Sequence, residues 1–263
     1  MLPRLPDAEF FYVGDTARLP YGSKSRATIA RYAVSSTRFL IDKGAEFLVI
    51  ACNTASALAI DDIRDAAGPV PVLGVIETGA AEAKANSTTG DVLVIGTDAT
   101  VQSHAYATAC GALGVRAIEK ACPLLVPLVE EGWIDHPVTA EVLRIYLSEL
   151  LASQADQFVA ADTLVLGCTH YPLIRAPIER ALGELTSSVG NFPQGPIRVI
   201  DSAEATATRV AAALNLPAPG ASSAKQKPVM SFFATDSAAK FRSLGSRFLR
   251  QPIEDVTLVD LGG

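Results

Sequence analysis

Phe47-Leu48-Val49-Ile50-Ala51-Cys52-Asn53-Thr54-Ala55 decides the fold, because five apolar residues run straight into a cysteine and two small polar residues. The pattern is that of a buried strand ending in a thiol. It returns at Thr163-Leu164-Val165-Leu166-Gly167-Cys168-Thr169-His170-Tyr171-Pro172, where an apolar run again stops at a small residue, a cysteine and hydrogen-bonding side chains. In parallel α/β sheets the ligand crevice lies beyond the carboxyl ends of the strands, so both thiols fall where chemistry is placed. A helix following each cysteine aims backbone N–H groups at the sulfur, which favours the thiolate. A lone unpaired cysteine is most often a small buried hydrophobe; repetition of the whole strand-Cys-polar pattern argues for function instead.

Composition narrows the classes. The 263 residues are 49% hydrophobic, enough for one large domain or two small ones. No run approaches the roughly 18 apolar residues of a membrane span, and Met1-Leu2-Pro3-Arg4-Leu5-Pro6-Asp7 has no signal-peptide core. A soluble cytoplasmic protein is expected. Twenty-eight acidic residues against 22 basic ones give a net charge of −6 with no dense Lys/Arg cluster, so neither nucleic acid nor an anionic membrane is an expected partner. Cys52, Cys110, Cys122 and Cys168 are too few and scattered for a disulfide framework, and no spacing suggests a metal site.

Outward from Cys52, strands are expected at 9–13, 70–76, 91–96, 116–118, 197–200, 229–233 and 254–258, beside the two thiol strands. Helices are expected at 25–43, 54–67, 78–86, 100–111, 138–157, 172–185, 202–214 and 237–250, with an apolar segment at 123–131. A loop carrying Pro217, Pro219, Gly220 and Pro228 precedes the last units. The alternation implies an α/β fold of mostly parallel sheets flanked by helices. With only about three strands in the first half, the carboxyl-terminal strand and helix are expected to fold back onto it. A first, discontinuous domain over 1–77 and 202–263 and a second over 78–201 follow. The loop Thr16-Ala17-Arg18-Leu19-Pro20-Tyr21-Gly22-Ser23 has the mixture of a binding loop, while Thr97 and Thr100 read as helix caps. Glu130 and Glu131 read as solvated acids.

Two thiols facing one crevice suit proton exchange with inversion at carbon: one removes a proton and the other supplies one. A hydrolase pairing Cys168 with His170 fits less well, since residues two apart on a loop seldom face each other usefully.

Pro20-Tyr21-Gly22, Cys52-Asn53-Thr54-Ala55 and Gly167-Cys168-Thr169-His170-Tyr171-Pro172-Leu173 together resemble the glutamate racemases, cofactor-independent members of the aspartate/glutamate racemase superfamily. The likeness extends through Gly14-Asp15-Thr16-Ala17-Arg18, Ile95-Gly96-Thr97 and Pro127-Leu128-Val129-Glu130. It implies two pseudo-symmetric α/β domains with glutamate in the cleft between them, no cofactor, no metal, and D-glutamate supplied to cell-wall peptidoglycan. By carry-over Cys52 deprotonates D-glutamate and Cys168 L-glutamate. Tyr21, Gly22, Asn53, Thr54, Thr169 and His170 match substrate-binding positions; Thr97, Thr100 and Glu130 match auxiliary ones. A homodimer is expected. Backbone N–H groups and hydroxyls at helix starts suit a bound carboxylate.

The resemblance departs at the start. The family opens with a strand leading to an Asp-Ser-Gly-x-Gly-Gly segment, and nothing of that kind precedes Phe10; Met1 to Pro6 resembles the end of the helix after that strand. A first domain lacking a central strand, with an exposed sheet edge, is the expectation. Two other readings stay open: an aspartate or related amino-acid racemase, and a degenerate amino-acid-binding module without catalysis.

Overall fold

The computed structural model describes residues 1–156, 161–188, 196–215 and 228–262. Its strands are β1 (Phe10–Gly14), β2 (Leu48–Ile50), β3 (Val72–Gly74), β4 (Asp91–Gly96), β5 (Arg116–Ala121), β6 (Thr163–Gly167), β7 (Arg198–Ile200), β8 (Met230–Ala234) and β9 (Thr257–Leu258). Between them lie α1 (Arg26–Asp42), α2 (Asn53–Ala67), α3 (Ile76–Asn86), α4 (Asp98–Gln102), α5 (Ala105–Ala112), α6 (Leu125–Glu130), α7 (Pro137–Asp156), α8 (Arg175–Ser188), α9 (Ala203–Ala213) and α10 (Ala238–Leu249). The loop expected around Pro217, Pro219 and Gly220 falls outside the described residues.

Among the described residues every strand pairing is parallel, and the strands form three groups, ordered β5-β4-β6-β7, β2-β3 and β1-β8-β9. This is the α/β architecture the alternation predicts. The C-terminal strand does return to the first half: β8 pairs with β1 from Phe10↔Met230 to Gly14↔Ala234. Among the described residues β1 and β2 are not hydrogen-bonded to each other.

The larger core lies under β4 and β6. Leu93, Ile95, Leu164 and Leu166 point one way, towards Leu143, Leu147 and Leu150 of α7 and Ile178 of α8; Val92, Val94 and Val165 point the other way, towards α3 and Tyr106 of α5. A strand buried on both faces has no polar alternation, which is why β6 is an unbroken apolar run. Each of these aliphatic side chains removed from water contributes about 1.5–3 kcal/mol.

The first half packs differently. Ser25 accepts a hydrogen bond from the Thr28 N–H and so caps α1. Ile29, Ala30 and Ala33 of that helix meet Ala55, Ala59 and Ile63 of α2. The i, i+4, i+8 spacing of 55, 59 and 63 makes one stripe along α2. Its two alanines let the helices pack closely and fix where α2, and hence Cys52 just before it, sits.

The 100–111 helix expected from sequence is broken in two. His104 takes a left-handed conformation (φ 53°) between α4 and α5, an angle that no regular helix accommodates. Only Thr257–Leu258 of the expected 254–258 strand pairs, with β8.

Candidate active site

Cys52 is the residue that caps α2, its sulfur accepting from the Ala55 N–H at 3.5 Å. The Thr54 hydroxyl and backbone also hydrogen-bond to it. Burial nonetheless dominates and pushes the Cys52 thiol above its ordinary value. Cys168, at the corresponding end of β6, is only 6% exposed. Burial pushes its thiol up to about 12, against hydrogen bonds from the His170 backbone and the Thr169 hydroxyl. The thiolate expected from helix starts is therefore not the resting state: desolvation outweighs N–H donation, and both thiols carry their protons. A charge on Cys52 would raise Cys168 further, so the sulfurs lie within each other's electrostatic reach.

Between the start of α2, beside Cys52, and the end of β4, the strand next to β6, sits a triangle of hydroxyls. Thr54 Oγ1 lies 2.9 Å from Thr97 Oγ1 and 3.3 Å from Thr100 Oγ1, and the latter two are 3.0 Å apart. Thr97 also caps α4 by accepting from the Thr100 N–H, so the capping role and the place beside Thr54 are both realised. Gly22 lies against the same threonine; a Cβ there would fall 2.7 Å from Thr97 Cβ, so only glycine lets the loop approach this closely.

Tyr21 joins that loop to the site. Its hydroxyl donates to Asp15 Oδ2, while Asp15 Oδ1 accepts from Arg18 Nε at 2.7 Å and from Thr235 Oγ1 at 3.0 Å. Asp15 and Arg18 are each about nine-tenths buried. Asn53 is fixed from the other half, its Oδ1 accepting from the Tyr106 hydroxyl at 2.7 Å. Thr169 is exposed and half-buried His170 follows it.

The sequence argument against Cys168 facing His170 does not hold: Sγ lies 3.8 Å from Nδ1. His170 is helical in backbone and heads a tight 3-10 turn at Tyr171–Ile174, which folds the ring back over the sulfur. The buried Tyr171 anchors that turn by donating to the carbonyls of Gly96 (3.1 Å) and Cys122 (2.9 Å). Behind the imidazole, His170 Nε2 is 3.3 Å from Glu130 Oε1, and Lys240 Nζ is 2.9 Å from Glu130 Oε2. The hydrogen bond from His170, with Lys240 adding to it, holds the Glu130 carboxyl at about 2 despite partial burial. Glu130 is thus no solvated acid, and Glu131 is not part of this chain of contacts.

Cys110 and Cys122 are fully buried in the core. His104 is exposed and pairs with Glu119 at 3.0 Å, while His136 stacks on Trp133. Of the residues singled out from sequence, Asn53, Thr54, Thr169 and His170 lie at the ends of β2 and β6, Tyr21 and Gly22 on the loop against Thr97, Thr97 and Thr100 beyond the end of β4, and Glu130 at the end of α6. Asp15, Tyr106 and Lys240 are additional. Asp15 and Arg18 stand in the Gly14-to-Arg18 likeness, whereas Tyr106 and Lys240 leave no local signal.

A parallel α/β chain with thiols at two strand ends defines a class, and comparison agrees with it. The family pattern Asp/Glu/Hydantoin racemase matches residues 3–210, and the chain belongs to that family. Its curated relatives include glutamate racemases: that of Koribacter versatilis is 48% identical over 98% of this chain and 91% of its own length. Among solved structures, glutamate racemase of Francisella tularensis in complex with D-glutamate superposes with a TM-score of 0.82 at 32% identity, covering 98% of this chain and 89% of that one. Escherichia coli glutamate racemase, in complex with L-glutamate and the activator UDP-MurNAc-ala, gives 0.71 at 27% identity over 98% and 91%. The chain is a racemase of this group. Among the described residues no helix is long and apolar enough to cross a membrane.

Proposed function

We propose that this chain interconverts L- and D-glutamate by a two-base 1,1-proton transfer, with Cys168 taking the α-proton of the L form and Cys52 that of the D form. The observation that carries this reading is the repeated strand-thiol-polar unit at the ends of β2 and β6, with the Thr54–Thr97–Thr100 hydroxyls linking the helix start beside Cys52 to the end of β4, the strand next to β6. With both resting thiols protonated, the first base is generated as substrate binds, the Cys168 proton passing to the His170 imidazole 3.8 Å away and the Cys52 proton to water. The substrate ammonium is the group suited to stabilising a thiolate beside it. Abstraction leaves a planar carbanion, and the opposing thiol gives its own proton to the other face, so the product leaves with a solvent-derived hydrogen.

Asn53, Thr54, Thr169 and the loop at Tyr21 and Gly22 hold the carboxylates and ammonium, while His170, backed by Glu130, assists Cys168. The discontinuous division into 1–77 with 202–263 and 78–201, a cytoplasmic place in supplying D-glutamate to peptidoglycan, and a homodimer complete the proposal. Light scattering on the eluted peak tests the last.

The decisive experiment follows α-hydrogen exchange in deuterium oxide. The wild-type chain should incorporate deuterium into both enantiomers; Cys52→Ser should lose exchange from D-glutamate more severely than from L-glutamate, and Cys168→Ser the reverse. Equal, mild losses in both variants would remove the two-base assignment, and faster turnover of L-aspartate would redirect the specificity.

A further inference from the structure

The two thiols are not equally supported, and part of the support for Cys168 comes from the far end of the chain. Helix α10 follows β8, the strand added to β1. It nonetheless reaches the residues behind Cys168 at three points. Lys240 Nζ sits on Glu130 Oε2 at 2.9 Å, leaving Oε1 for His170. The Phe248 ring meets the His170 ring edge-on, with centroids 6.0 Å apart. Arg247 packs over Gly132, where an added Cβ would fall 2.7 Å from its guanidinium nitrogen. Lys240 and Phe248 are eight residues apart, so they lie on one side of the helix.

We propose that Lys240 is a positioning residue for the Cys168 half-reaction, acting through Glu130 on the His170 ring. A carboxylate with one cationic partner is free to turn both oxygens towards it. With an ammonium on Oε2, Glu130 presents Oε1 alone to Nε2, and the imidazole is held with Nδ1 towards the sulfur. The charge that sets this geometry comes from an element attached to another sheet, so the packing of α10 bears on Cys168 through Glu130 and His170.

This inference rests on the two-base reading, and the test separates them. Lys240→Met and Lys240→Arg are compared with wild type by primary isotope effects on kcat/KM with α-deuterated L- and D-glutamate. Lys240 is half exposed, so the loss expected in Lys240→Met is modest, about three- to tenfold. Its isotope effect should rise for the L substrate, as abstraction at Cys168 becomes slower, and fall towards one for the D substrate; Lys240→Arg should restore both. In a Glu130→Gln background Lys240→Met should cost nothing further. Isotope effects that stay put or move together in Lys240→Met, or an undiminished loss in the Glu130→Gln background, overturn the proposal. A wild-type chain that exchanges no α-hydrogen overturns the two-base reading instead. Thermal melts of each variant separate misfolding from mispositioning.

Discussion

Strand β6 runs inside a four-stranded sheet with β4 on one side and β7 on the other, whereas β2, carrying the same kind of thiol, pairs only with β3 among the described residues. The consequence shows in burial: all five residues of β6 are buried, but only Leu48 of the three in β2. The polar surroundings differ too. Cys168 has an imidazole, a carboxylate and an ammonium in line behind it, while Cys52 has a backbone N–H and the Thr54 hydroxyl. A reaction with chemically symmetric ends is thus set up in asymmetric surroundings. Strand pattern fixes where a thiol goes; the neighbouring elements fix what kind of acid or base it becomes.

The comparison breaks most completely if either sulfur is removed. Cys52→Ser or Cys168→Ser should each lower racemisation by about 10²–10⁴-fold, the usual worth of a positioned acid or base, read by circular dichroism of the glutamate signal. Gly167→Ala strikes the β6 side alone, because the new methyl would fall 2.8 Å from the Ile95 carbonyl oxygen. Overpacking of this kind costs about 1–3 kcal/mol and should lower the urea midpoint of unfolding. Tyr106→Phe leaves Asn53 Oδ1 buried without its donor, at a cost of about 1–3 kcal/mol; an unchanged midpoint would show that water replaces the hydroxyl.

Two smaller effects depend on pH. The Glu130 carboxyl, depressed from 4.5 to about 2, contributes stability that is present above 4.5 and is lost as the pH falls towards 2. The difference in unfolding free energy between wild type and Glu130→Gln should therefore shrink as the pH falls from 4.5 towards 2. Cys168 is shifted the other way, so its thiol stays protonated until the pH climbs towards about 12. Its alkylation by iodoacetamide, mapped by mass spectrometry, should be slow at neutrality and still accelerating above pH 9.

Much of the fold was legible because its signals are local. The bounds of β4 and β6 match the expected runs, and α1 and α10 lie within a residue of theirs, since long apolar or amphipathic stretches with clear caps leave little choice. The break at His104 was not legible, because histidine carries no local signal for the left-handed conformation it takes between α4 and α5. Cys52 and Cys168 were found from a repeat. Glu130 was misread as a solvated acid because its partners, His170 and Lys240, lie 40 and 110 residues away. The Cys168–His170 contact was set aside because spacing alone does not reveal the 3-10 turn that closes it.

The triangle of Thr54, Thr97 and Thr100 has a consequence of its own. A closed ring of hydroxyls has two senses of circulation, clockwise and anticlockwise, and passes between them by rotation about C–O bonds while every heavy atom stays still. In either sense each hydroxyl uses its one hydrogen inside the ring and turns a lone pair outward; a proton is offered when one of the three rotates out of it, as Thr54 does towards Cys52. A cavity that must welcome mirror-image guests in alternation thereby gains an adjustable contact without having to flex its walls.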